Sequence, residues 1–67
     1  MTFEELRNSL ARPAQRALAN AGISSYEDLA KLTEHEIAQL HGIGMNALTR
    51  ITTALQDAGL YFRMDDK

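Results

Sequence analysis

Three times in this chain a serine or threonine stands three residues before an acid: Thr2 before Glu5, Ser25 before Asp28 and Thr33 before Glu36. At that spacing the hydroxyl can accept from the third helical amide while the acid accepts from the N–H of the cap, so each pair predicts a helix start. Gly22 and Gly59 read as left-handed stops, and the pair Gly42 and Gly44 breaks the chain between them. In 67 residues these signals leave room only for short helices. Ala and Leu dominate the apolar residues and β-branched residues are few outside the Gly42 region, which excludes a strand-based core. The predicted fold is all-α, a compact bundle of four to five short helices in a single domain, 1–67.

Phe3, Leu6 and Leu10 fall on one stripe with Glu4, Arg7 and Asn8 outward. Residues 1–11 therefore predict an accessory N-terminal helix laid on a core spanning 12–62. Proline suits the first helical position, so the second helix is expected from Pro13, with Ala14, Ala17, Leu18 and Ala21 inward. Ile23 is read as an apolar plug. Ser25 opens a helix of about two turns that buries Tyr26, Leu29 and Leu32, and Thr33 opens one that carries Ile37 and Leu40 inward. The last and longest helix is predicted from Met45 to Ala58, burying Leu48, Ile51, Leu55 and Ala58 between Ala47 and Ala54. Leu60, Tyr61 and Phe62 form a hydrophobic clasp ahead of a solvated tail, 63–67. The methionines and aromatic residues are assigned to core and clasp rather than to a base-stacking platform. The corners Gly22-Ile23 and Gly42-Ile43 look like a loose duplication.

Gly42-Ile43-Gly44 reads as a hairpin between two helices, with both glycines holding backbone angles that other residues avoid and Ile43 anchoring the turn. The amides of Gly44, Met45 and Asn46 are then the orphan donors of a new helix, a natural seat for a phosphate oxygen. Arg50, one turn beyond Asn46, together with Arg16 and the more outlying Arg12, supplies positive side chains. The competing reading is a helix corner that needs glycine only for its turn.

Composition limits the other possibilities. With a formal net charge of −2 and a pI of about 5.5, the chain lacks the basic excess of a protein that coats nucleic acid through bulk charge. It has no cysteine, so neither a disulfide framework nor a thiolate metal cage is available. His35-Glu36 begins like a zinc-protease box, but position 39 is Gln39 and His41 is off register, so no metal site and no cofactor is expected. Glu27, Asp28, Glu34 and Glu36 occupy first turns and caps, where the helix dipole favours acids, so they require no catalytic carboxylate pair, and an enzyme is not expected. No apolar run approaches the roughly 20 residues of a membrane span. Met1-Thr2-Phe3-Glu4-Glu5 is acidic where a signal peptide would be basic, which predicts a cytoplasmic protein without a membrane partner.

Leu40 through Leu48, with the helices on both sides, resembles the helix-hairpin-helix motif: its Gly-hydrophobic-Gly turn matches Gly42-Ile43-Gly44 and its small residue matches Ala47. The run from Leu10 to Phe62 resembles the C-terminal domain of the bacterial RNA polymerase alpha subunit, from the Ala-Gly-Ile corner through the Thr-capped helix and hairpin to the Gly-Leu ending. The resemblance implies a helical domain that grips the DNA backbone across the minor groove and docks on transcription factors. Gly44 matches the family glycine. Asn46 and Ala47 stand where the family has lysine and serine, Pro13 where it has its DNA-reading arginine, and Arg16 where it has asparagine. Two functions are therefore expected to compete. One is a small, transcription-related module that holds double-stranded DNA weakly and with little sequence preference. The other is a protein-interaction module on the same scaffold, its DNA binding lost and its partner a transcription-related protein.

Overall fold

The caps and glycines mark out five helices over residues 2–64, the residues described in the computed structural model: α1 Phe3–Ser9, α2 Arg12–Asn20, α3 Tyr26–Ala30, α4 Glu34–Ala38 and α5 Met45–Asp57. Among the described residues there is no strand. Two of the three expected capping boxes close in full. Glu5 N–H donates to the Thr2 hydroxyl at 3.2 Å while Thr2 N–H donates to the Glu5 carboxylate at 2.8 Å. Thr33 and Glu36 exchange the same bonds at 3.1 and 2.9 Å. At α3 only half the box forms. Asp28 N–H donates to the Ser25 hydroxyl at 3.2 Å, but the Asp28 carboxylate turns to Ser24, which offers it two donors, its N–H at 3.0 Å and its hydroxyl at 3.1 Å.

Helix α2 begins at Arg12 rather than at Pro13, with Ala11 as its cap. Proline fits the second position as it does the first, because neither N–H has an intrahelical acceptor. At the ends of α2 and α5, Gly22 and Gly59 adopt φ of +76° and +79°, and the following residue closes back over the last turn, Ile23 N–H onto the Leu18 carbonyl and Leu60 N–H onto that of Leu55. The corner at Gly42 is built differently. Ile43 N–H donates to the Leu40 carbonyl at 3.1 Å, closing a four-residue turn, so the apparent duplication does not extend to geometry.

Helix α5 is the element on which α1, α3 and α4 pack. The fully buried side chains are Leu6, Leu18, Leu29 and Ile37, one from each of the first four helices, with Ile51 and Leu55 from α5. Helix α1 therefore lies inside the core rather than over it: Leu6 and Leu10 are 1% and 5% exposed, filling volume that the alanines facing them from α2 cannot supply. Ala54 is buried and Ala58 is not, because α5 stops at Asp57 and leaves Ala58 as its cap; Ala21, capping α2, is exposed for the same reason. Leu60 and Phe62 pack on the core while Tyr61 between them points away, as alternation along an extended segment requires. Arg63, read from sequence as the start of the tail, is tied down: its N–H donates to the Leu32 carbonyl at 2.9 Å and its guanidinium pairs with Glu36 at 3.2 Å. Asp65, Asp66 and Lys67, the rest of that tail, lie outside the described residues. Met45 and Met64 are exposed instead of buried, since neither falls on an inward stripe. No helix among the described residues is long and apolar enough to cross a membrane.

Candidate nucleic-acid interface

The two hairpin glycines differ. Gly42 has φ +100°, and a Cβ there would collide with the carbonyl oxygen of Pro13 and lie 2.9 Å from its carbon. The turn therefore rests directly on the main chain at the start of α2. Gly44 has φ −93° and ψ −178°, an ordinary extended conformation, and a Cβ built on it meets nothing within 4 Å. The expectation that Gly44 is held at a glycine-only angle is thus corrected. Its missing side chain leaves the start of α5 open, since Gly44 is the cap of that helix and supplies no side-chain acceptor.

This sets α5 apart from three of its neighbours. Helices α1, α3 and α4 each have a hydroxyl cap and two acids in the first turn. Helices α2 and α5 have neither a side-chain cap nor a first-turn acid. The first backbone bond of α5 runs from Leu48 N–H to the Gly44 carbonyl, and among the described residues the amides of Gly44, Met45 and Asn46 have no protein acceptor. Because Gly42 sits on Pro13, the two bare helix starts are neighbours, and the positive ends of two helix dipoles share one corner of the molecule.

Of the residues singled out from sequence, this corner brings together Gly42, Ile43, Gly44, Met45, Asn46 and Arg12. Ile43 is half-buried against the core and anchors the turn, while Met45 and Asn46 are exposed. Arg12 is the first residue of α2 and is exposed beside Pro13, which makes it the arginine nearest the hairpin rather than the outlying one. Arg16 is exposed one turn further along α2. Arg50 lies about 9 Å up the axis of α5 from Gly44, and lines a shallow groove with Leu6 and Ser9 of α1 and Asp57 of its own helix. Among the described residues the single ion pair is Arg63 with Glu36, so Arg12, Arg16 and Arg50 are unpaired. Sequence reading missed the Pro13 carbonyl as the seat of Gly42 and the bare start of α2. The absence of any Ser, Thr, Asp or Asn immediately before Arg12 was the available signal for the second.

The carboxylates are engaged elsewhere. Glu36 is held below the usual carboxylate range first by the Thr33 N–H, with smaller help from the Thr33 hydroxyl and Arg63. Glu5 is lowered mainly by the Thr2 N–H, and Asp28 by the N–H and hydroxyl of Ser24. His35 lies on α4, its ring 2.9 Å from the Gln39 side chain that occupies the position of a second zinc ligand.

Over 66 residues, 98% of its length, the chain is 33% identical to the DNA-directed RNA polymerase subunit alpha of Bacillus velezensis. It is similar to the RNA polymerase alpha subunit. The same identity and coverage relate it to the alpha subunits of Oceanobacillus iheyensis and Desulfitobacterium hafniense. The chain spans about a fifth of the length of these relatives, 20% in each case. No family model matches it, and no solved structure matches it. The all-helical, helix-hairpin-helix architecture agrees with the similarity to the alpha subunit, in which this chain corresponds to a unit like the C-terminal domain.

Proposed function

We propose that this chain is a transcription-related DNA-binding module that seats backbone phosphate on the amides of Gly44, Met45 and Asn46, with Arg12, Arg16 and Arg50 as side-chain partners. The observation that carries this reading is the pair of uncapped, acid-free helix starts brought together by Gly42 and Pro13, in a chain whose other three helix starts are all capped and acidic. The chain acts by binding and not by catalysis. Backbone amides carry no base information and the arginines are few, so affinity is weak and sequence preference slight. Similarity to polymerase alpha subunits supports a role in transcription.

Gly44→Asp separates site from scaffold. The new carboxylate caps α5 and faces its positive end, so thermal stability should rise by a few tenths to about 1 kcal/mol. The same group occupies the phosphate seat, so binding to labelled duplex DNA, read by fluorescence anisotropy at about 50 mM salt, should be lost. A variant that melts higher and binds DNA as well as the parent would remove the hairpin amides from the interface.

A second reading rests on a different surface. Tyr61 and Met64 are 72% and 85% exposed beside a groove between α4 and α5 floored by Leu48 and Leu55, an apolar face that suits a protein partner. If the parent chain binds no DNA even at low salt, docking of a transcription-related protein becomes the better account.

A further inference from the structure

We propose that His41 is an additional phosphate contact of the same interface, one that engages only when its imidazole is protonated, so that DNA binding strengthens as pH falls through the neutral range. The inference rests on the DNA-binding reading of the hairpin. His41 is the second residue of the turn closed by Ile43 N–H and the Leu40 carbonyl, next to the Gly42 that sits on Pro13, and it is exposed. Consecutive phosphates of a strand are close enough that one held by the α5 amides brings its neighbours to the flank of this turn. No acid lies in the first turns of α2 or α5, so a bound phosphate would be the natural counter-ion for an imidazolium here.

The charged groups around the turn can be named. From α2 comes Arg12, a cation that opposes a second positive charge in the absence of DNA. From the start of α5 come Met45 and Asn46, which carry none. On the side of α4 the turn follows the carbonyl end of the helix, which favours a cation, with Glu34 and Glu36 in its first turn. Phosphate therefore adds the missing attraction. The sign follows from linkage: a group that gains an anionic partner on binding has its pKa raised in the complex, so the extra affinity is present at lower pH and is lost as pH rises through that raised value.

The chain contains two histidines, and the second provides a control. His35 hydrogen-bonds Gln39 and lines the groove beside Tyr61 and Met64, away from the hairpin residues. Anisotropy titrations of a labelled, sequence-neutral duplex would compare the parent chain, His41→Gln and His35→Gln at pH 5.5, 6.5 and 7.5 over a series of salt concentrations, with circular dichroism to establish that each is folded. For the parent chain and His35→Gln, affinity should rise about threefold to tenfold from pH 7.5 to 5.5, and the log-log salt slope should steepen by about one. For His41→Gln both changes should vanish. Binding that does not depend on pH in the parent chain, or a rise that persists in His41→Gln, overturns the role of His41 while leaving the amide site intact. Absence of binding at every pH overturns the DNA reading itself.

Discussion

A methyl group at Gly42 meets two obstacles at once, a backbone angle of φ +100° and the carbonyl of Pro13. Gly42→Ala should therefore destabilise the chain by about 2–4 kcal/mol, the sum of strain and a forced shift of packed backbone. At Gly44 the same substitution adds a Cβ in open space at an allowed angle, and only the modest preference for glycine over alanine at a helix cap is lost, about 0.5–1 kcal/mol. Urea denaturation of the two variants would rank them, and equal midpoints would contradict the geometry. From sequence the two glycines looked equivalent. The spacing Gly-Ile-Gly locates a turn but cannot say which glycine bears the positive φ, because that depends on what the turn leans against, here a residue far away in the chain.

Among the elements, helix starts were well marked and helix depth was not. Local caps are written in adjacent residues, so the starts of α1, α3 and α4 fall at Thr2, Ser25 and Thr33 as the spacing predicts. The depth of α1 was misjudged because a short stripe of Phe3, Leu6 and Leu10 reveals one apolar face without revealing how much room awaits it. With Leu6 fully buried, Leu6→Ala should cost about 2–4 kcal/mol, which in a domain this small lowers the melting midpoint by more than about 10 °C. A drop of only a degree or two would return α1 to the status of an accessory arm. The caps also carry a pH signature. Glu5, Asp28 and Glu36 have carboxyl groups lowered in the folded chain, so the stability they confer is present above their ordinary titration range and is lost as pH falls through their folded values. Thermal midpoints should fall below about pH 4.5, and Glu36→Gln should make that fall shallower; an unchanged profile would remove the capping carboxylates as its cause.

For the molecule as a whole, a net charge of −2 hides a division of labour in which acids hold three helix starts and arginines stand near the other two. Net charge argued against bulk DNA coating and could not reveal that local pattern. With about two to four phosphates neutralised by side chains, the logarithm of DNA affinity should fall against the logarithm of salt with a slope of about −2 to −4. Arg50→Ala should reduce the magnitude of that slope by about one. Arg63→Ala should leave it unchanged, because Arg63 is engaged with Glu36. An Arg63 variant that weakens binding as much as the Arg50 variant would place the interface on another face. The resemblance to the polymerase alpha subunit was legible in the order of corners and helices, which survives substitution better than contact residues do, and it could not tell which of Arg12, Arg16 and Arg50 takes over for the family lysine and arginine that are missing. The contact of Gly42 with Pro13 also bears on the order in which this molecule assembles. The hairpin and its support come from residues distant in sequence, so the intervening chain must be gathered, with its loop-closure entropy, before the two bare helix ends can meet. A peptide spanning 33–60 would hold every residue of the hairpin and still lack the site, which comes into existence late, as a property of the completed fold.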